Sequence, residues 1–95
     1  MKQAFVYILA SARNATLYTG VTSNLVQRVW QHKNELADGF TKKYGVRTLV
    51  WHEAHVTMES AIGREKAIKD WRRAWKLRLI EAMNPQWRDL YEDIL

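Results

Sequence analysis

The stretch "LYTGVTSNLVQRVWQH", Leu17–His32, decides how the rest of the chain is read. It opens with a strand-like alternation, Leu17, Thr19 and Val21 against Tyr18, Gly20 and Thr22. Asn24 is then a good N-cap, and Gln27 three positions on can close a capping box. A helix is predicted from about Leu25 to Leu36. Its apolar stripe, Leu25, Val29 and Leu36, also carries His32, with Arg28 beside it. An arginine at the edge of such a stripe commonly snorkels, and a histidine on it is commonly a satisfied core residue. The pair together leaves a second reading open, in which the sheet surface under the helix is the floor of a site.

Working outward, "AFVYILAS" (4–11) is rich in β-formers and "RNAT" (13–16) has turn chemistry, so the two strands are expected to form a hairpin. Gly39 is assigned to a loop. "VRTLVWHEAHV" (46–56) reads as a third strand. Thr57 then caps a helix, "MESAIGREKAIKDW", with Glu59 in its first turn. A third helix, "RRAWKLRLIEAM", ends before "NPQW", because Asn84 precedes Pro85 and is pushed out of the helical region. The order β-β-α-β-α-α implies one α+β domain over residues 1–95, a three-stranded, mostly antiparallel sheet flanked by helices.

Other residues stand where their chemistry is unexpected. Met58, Ala61, Ile62, Ile68 and Lys69 follow helical spacing, and Glu65 falls on the same stripe. A carboxylate facing a sheet is costly unless it is paired or holds a metal. An internal salt bridge, with Arg28 as a candidate partner, and a metal-binding or acid–base role are both open. In a hairpin, Tyr7 and Tyr18 can share one sheet surface. Gly20 inside a strand weakens it and marks a bulge or the close approach of a ligand's backbone.

Composition narrows the classes. A chain of 95 residues, 47% hydrophobic, is read as one folded domain. Its five tryptophans are expected mainly to fill the core, as are Trp87 and Tyr91 in preference to serving a dimer. With no cysteine, disulfides, thiolate metal sites and cysteine nucleophiles are excluded. The N-terminus lacks a long apolar signal region and no run of about 18 apolar residues occurs, so a cytoplasmic protein that makes no use of a membrane is expected. A net charge of +5 points to an anionic partner, of which nucleic acid is the commonest large one. Arg64, Lys66, Lys69, Arg72, Arg73, Lys76 and Arg78 interleave with Trp71 and Trp75, and Lys42, Lys43 and Arg47 form a second patch. Either can track a phosphate backbone, and either can be a solvated face. Neither carries a base-reading motif, so weak, salt-sensitive binding with little sequence preference is expected.

Taken in order, "FVY" (5–7) ending in Tyr7, "YTG" (18–20), Arg28 ten residues after Tyr18, His32 one turn later and Glu65 in the next helix resemble the GIY-YIG nuclease superfamily. Asn84 is a further match near the end of the domain. "FTKKYGVRTLVWHE" (40–53), "REKAIKDWRRAWKLRLIE" (64–81) and "MNPQWRDLY" (83–91) look like its small stand-alone bacterial branch. Phe5-Val6 and Thr19 depart from the motif names at positions not expected to do chemistry.

The resemblance implies a metal-dependent endonuclease or exonuclease that hydrolyses DNA in repair or processing. Glu65 would hold one Mg²⁺ or Mn²⁺, and Arg28 would clamp the phosphate. Tyr7, with or without His32, would position or deprotonate the attacking water. A free phenol titrates near 10, so a tyrosine base needs the metal and Arg28 close by. Tyr18 would hydrogen-bond the water or phosphate, Gly20 would let the strand backbone approach, and Asn84 would steady the phosphate. Lys42, Lys43, Arg72, Arg73 and Lys76 would grip the substrate. Family nucleases usually carry a separate DNA-targeting region, and this chain is expected to lack room for one. That keeps a repair-protein partner open. It also keeps open the alternative of a nucleic-acid-binding module with little activity of its own, and less readily an adaptor. The intact set Tyr7, Tyr18, Arg28, His32 and Glu65 favours the enzyme.

Overall fold

The alternation in the first two segments pairs them directly. In the computed structural model, which describes residues 3–13, 15–36 and 39–95, β1 (Ala4–Ala10) and β2 (Leu17–Thr22) run antiparallel, with Tyr7 opposite Gly20 and Leu9 opposite Tyr18. β3 (Thr48–His55) pairs antiparallel with the other side of β1, giving the strand order β2-β1-β3. Ile8 faces Trp51 but Leu9 faces Leu49, so Val50 is the extra residue of a β-bulge.

As the central strand, β1 buries both faces, which is why it reads as a nearly unbroken apolar run. Val6, Ile8 and Ala10 pack under α3 (Met58–Asp70) and α4 (Arg73–Met83), with Val50, Ala61, Ile68, Ile80 and Trp87. Tyr7 and Leu9 face the other way, toward Leu25 and Val29 of α1 (Leu25–Lys33) and toward Val46, Leu49 and Leu90. The expected α+β sandwich of helix, sheet and helix is therefore the fold.

The helix ends depart from expectation in instructive ways. Asn24 caps α1 by accepting from the Gln27 N–H at 3.1 Å, but its own N–H donates to Thr22 Oγ1, so the reciprocal arm of the capping box is not made. α1 stops at Lys33 instead of Leu36. Glu35 takes a left-handed φ of 58°, its N–H donates to the His32 carbonyl, and the Leu36 N–H reaches back to the Gln31 carbonyl. This closure normally announces itself with a glycine, and here it does not. Leu36 thus leaves the stripe and is 65% exposed. Gly39 is not in a loop but opens a short helix, α2 (Gly39–Tyr44). Gly45 follows it with φ +63°, a conformation that glycine adopts without penalty. α3 begins as expected, with Thr57 accepting from the Ser60 N–H. A short α5 (Tyr91–Ile94) was not foreseen.

The tryptophans divide. Trp51 and Trp87 are buried and Trp71 packs against the core, as expected, whereas Trp30 and Trp75 are each 48% exposed. Tyr91 packs on the core beside Leu90. Among the described residues, no helix is long and apolar enough to cross a membrane.

Candidate active site

The inward-facing polar residues of α1 meet the phenol of β1. His32, only 1% exposed, places Nε2 3.0 Å from Tyr7 Oη and Nδ1 3.1 Å from Thr41 Oγ1 on α2. The imidazole is thus held at both nitrogens, one by the sheet and one by the neighbouring short helix. If Nδ1–H donates to Thr41, Nε2 is left to accept the Tyr7 proton. Arg28, one turn earlier, donates from Nε to Tyr7 Oη at 3.4 Å and from Nη1 to Gln31 Oε1 at 3.1 Å. The bond to Tyr7 raises the guanidinium pKa further, against the opposing pull of partial burial, and Tyr18 acts in the same direction as Tyr7. Arg28 is therefore a permanent cation beside the phenol oxygen.

Gly20 explains how the phenol fits. A Cβ at that position would lie 2.5 Å from Tyr7 Oη, 2.6 Å from Tyr7 Cζ and 3.0 Å from Tyr18 Cε2. What approaches Gly20 in this structure is the Tyr7 ring of the protein itself, and not the ligand that the sequence suggested. Tyr18 completes the cluster, its ring centroid 6.3 Å from Tyr7 and 5.3 Å from His32.

Glu65 lies on the other side of the sheet. Its helix, α3, packs against β1 and β2 on the face opposite α1. Ala61 and Ile68, one turn to either side, are fully buried, and the Glu65 side chain is 14% exposed. The ion pair expected on this stripe forms with Lys69 Nζ at 3.2 Å and not with Arg28. Met58 and Ile62, counted on the same stripe, are exposed.

Asn84 is placed elsewhere. Its Nδ2 donates to the Val50 and Arg88 carbonyls at 3.2 and 2.7 Å, and its Oδ1 accepts from the Arg88 N–H at 3.1 Å. It is 3% exposed and stitches the chain after α4 to the bulge of β3. β3, whose Val50 carbonyl it bonds, is the edge strand on the far side of β1 from β2. In this structure the amide is engaged by backbone groups at both ends. Asn84→Ala is expected to cost about 2–4 kcal/mol, since three backbone groups lose buried partners, with the chemistry at Tyr7 unchanged. Urea unfolding alongside activity checks this. Full stability with lost activity would return Asn84 to the substrate path.

The basic residues fall in two places. Lys42 and Lys43 are exposed on α2, next to Thr41. Arg72, Arg73 and Lys76 lie where α3 meets α4. Arg72 stacks over Trp75 at 5.8 Å, Arg73 bonds the Ala15 carbonyl of the hairpin turn, and Lys76 Nζ donates to the Lys69 carbonyl at 3.3 Å. Thr41 and Gln31, which hold His32 and Arg28, were missed by sequence reasoning. Gln31 had a signal, three residues after Arg28 on one helix. Thr41 had none, because α2 is too short to show periodicity.

Comparison with known proteins places the chain in a family. The model of the GIY-YIG catalytic domain matches residues 3–78. The chain belongs to the GIY-YIG family, a nuclease superfamily. Within it, the chain is similar to a UPF0213 protein of Staphylococcus epidermidis, 35% identical over 81 residues that cover 85% of this chain and 98% of that protein. A UPF0213 protein of Clostridium perfringens is 37% identical over 78 residues, 82% of this chain and 83% of that one. The solution NMR structure of a UPF0213 protein from Bacillus halodurans has the same fold, with TM-score 0.57, 25% identity and 92% of each chain covered.

Proposed function

We propose that this domain hydrolyses phosphodiester bonds in DNA, with a divalent metal, and that Tyr7, Arg28, His32, Tyr18 and Glu65 carry the reaction. One observation carries the reading: a phenol oxygen in contact with a guanidinium on one side and a buried imidazole on the other. A guanidinium matches the geometry and charge of a phosphate. The phenol, hydrogen-bonded to His32, can order a water and pass its proton to the imidazole. Tyr18, beside both rings, offers a second hydroxyl to water or phosphate.

The metal is tested against the donor set. Among the described residues no three His, Asp or Glu side chains gather to form a cage. One largely buried carboxylate, Glu65, suits Mg²⁺ or Mn²⁺ bound by a single protein ligand with waters and phosphate oxygens. Bound there, the ion would supply charge neutralisation at the phosphate and the leaving oxygen. Lys69 is half-exposed and free to swing from the carboxylate. Because Tyr7 and Glu65 belong to opposite faces, the scissile group would lie round the open edge at β2, where the two faces meet. Assigning the activity to DNA repair or processing rests on the family resemblance.

The test is cleavage of end-labelled single-stranded, duplex and branched DNA with Mg²⁺, Mn²⁺ or EDTA. Cleavage is expected with metal and not with EDTA. Glu65→Gln is expected to lower it about 10²-fold, because an amide oxygen keeps a donor but loses the charge. Equal traces of activity in both proteins would mean contamination and overturn the assignment. DNA binding with no cleavage would make the domain a binding module that needs a partner.

A further inference from the structure

We propose that α2 is a stacking platform for unpaired bases of the DNA strand whose phosphate is held at Tyr7 and Arg28, an inference that rests on the nuclease reading of that site. Three rings form a path outward from the cluster. The Tyr18 and Phe40 centroids are 6.1 Å apart with planes at 34°, and those of Phe40 and Tyr44 are 5.0 Å apart at 49°. Tyr18 itself touches His32. The path therefore begins at the proposed chemistry and runs into solvent, where Phe40 is 45% and Tyr44 47% exposed.

The short helix is built to present these rings rather than bury them. Its one buried residue is Thr41, whose hydroxyl bonds His32. That contact pins α2 to the site and leaves Phe40 and Tyr44, one turn apart, at the surface. Lys42 and Lys43 are exposed between them, no acid lies on the helix, and Lys43 Nζ lies 5.4 Å from the Tyr44 ring. Cations flanking exposed aromatic faces complement a nucleic-acid strand, phosphates to the lysines and bases to the rings. Bases stacked inside a duplex cannot present their faces to side-on rings. The platform therefore selects unpaired DNA without reading its sequence.

Binding is measured by anisotropy with the full chain in EDTA, using a short single-stranded DNA, its duplex, and the same strand with abasic sites throughout. Cleavage of the base-bearing strand with Mg²⁺ is followed in parallel. Single-stranded DNA is expected to bind about tenfold or more tighter than the abasic strand of equal charge, and tighter than the duplex. Phe40→Ala and Tyr44→Ala are each expected to weaken single-strand binding about tenfold while leaving abasic binding unchanged, and Phe40→Trp to retain it. The comparison of strands on the unmutated protein keeps the test decisive even if a variant misfolds. Equal affinity for base-bearing and abasic strands overturns the platform. Where metal-dependent cleavage persists, the nuclease reading survives that result. Loss of both binding and cleavage removes both. Self-association abolished by Phe40→Ala, with no dependence on bases, would give this face to a second copy of the chain and also overturn the proposal.

Discussion

Tyr7→Phe is expected to lower metal-dependent cleavage about 10³-fold, within the range that a positioned acid–base group contributes, while the domain stays folded. The change removes one oxygen and keeps the ring that occupies the space above Gly20. That oxygen is where His32 Nε2 and Arg28 Nε meet, at 3.0 and 3.4 Å. Without it, the imidazole has no phenol through which to act, and the guanidinium loses one of the contacts that aim it. Stability should fall by only about 1–3 kcal/mol, the cost of leaving a buried ring nitrogen without that partner. Single-turnover cleavage separates the chemical step from binding, and a circular dichroism melt checks the fold. A Tyr7→Phe protein within about tenfold of the wild-type rate, short of what acid–base groups contribute, would show that another group handles the water. His32 would then be left as a core histidine.

Where the pattern was periodic, the fold was legible. The alternation in 17–22, the Asn24 and Thr57 caps and the Asn84-Pro85 stop all mark ends that the structure has. The features that escaped notice have no periodic signature. α1 closes through Glu35 in a left-handed conformation, with no glycine to announce it. α2 and α5 are too short for a hydrophobic stripe, so their residues look like loop. The convergence of Tyr7, Tyr18, Arg28 and His32 could be anticipated because two strands and one helix bring them together within a short span of chain. Partners distant in sequence could not be assigned from spacing. Thr41, on another helix, turned out to satisfy His32, and the Val50 carbonyl of β3 to take up Asn84, whereas Lys69, which pairs with Glu65 one turn earlier on the same helix, stood at a readable spacing. A helical stripe says that a polar side chain faces inward but not which atom across the interior it meets.

Gly20→Ala is the sharpest test of how the site is packed. In an ordinary strand this change is tolerated or mildly favourable, because alanine gives up less backbone freedom than glycine. Here the added methyl would stand 2.5 Å from Tyr7 Oη and 2.6 Å from Cζ, so something must move. The backbone of β2 is paired with β1 at this residue, and the Tyr7 ring is buried among its neighbours. The ring is what gives way, and its oxygen leaves His32 and Arg28. We expect a loss of about 1–3 kcal/mol from overpacking. We also expect at least a 10²-fold drop in cleavage, because a misplaced reacting group costs on the order of that factor. A double-mutant cycle with Tyr7→Ala identifies the cause. With the ring gone, Gly20→Ala should cost much less in stability, since the methyl then enters the space that the phenol vacated and its nearest remaining neighbour is Tyr18 Cε2, at 3.0 Å. An equal cost in both backgrounds would mean that Gly20 is needed for the strand itself. A neutral Gly20→Ala in the wild-type background would mean that the phenol has room to spare.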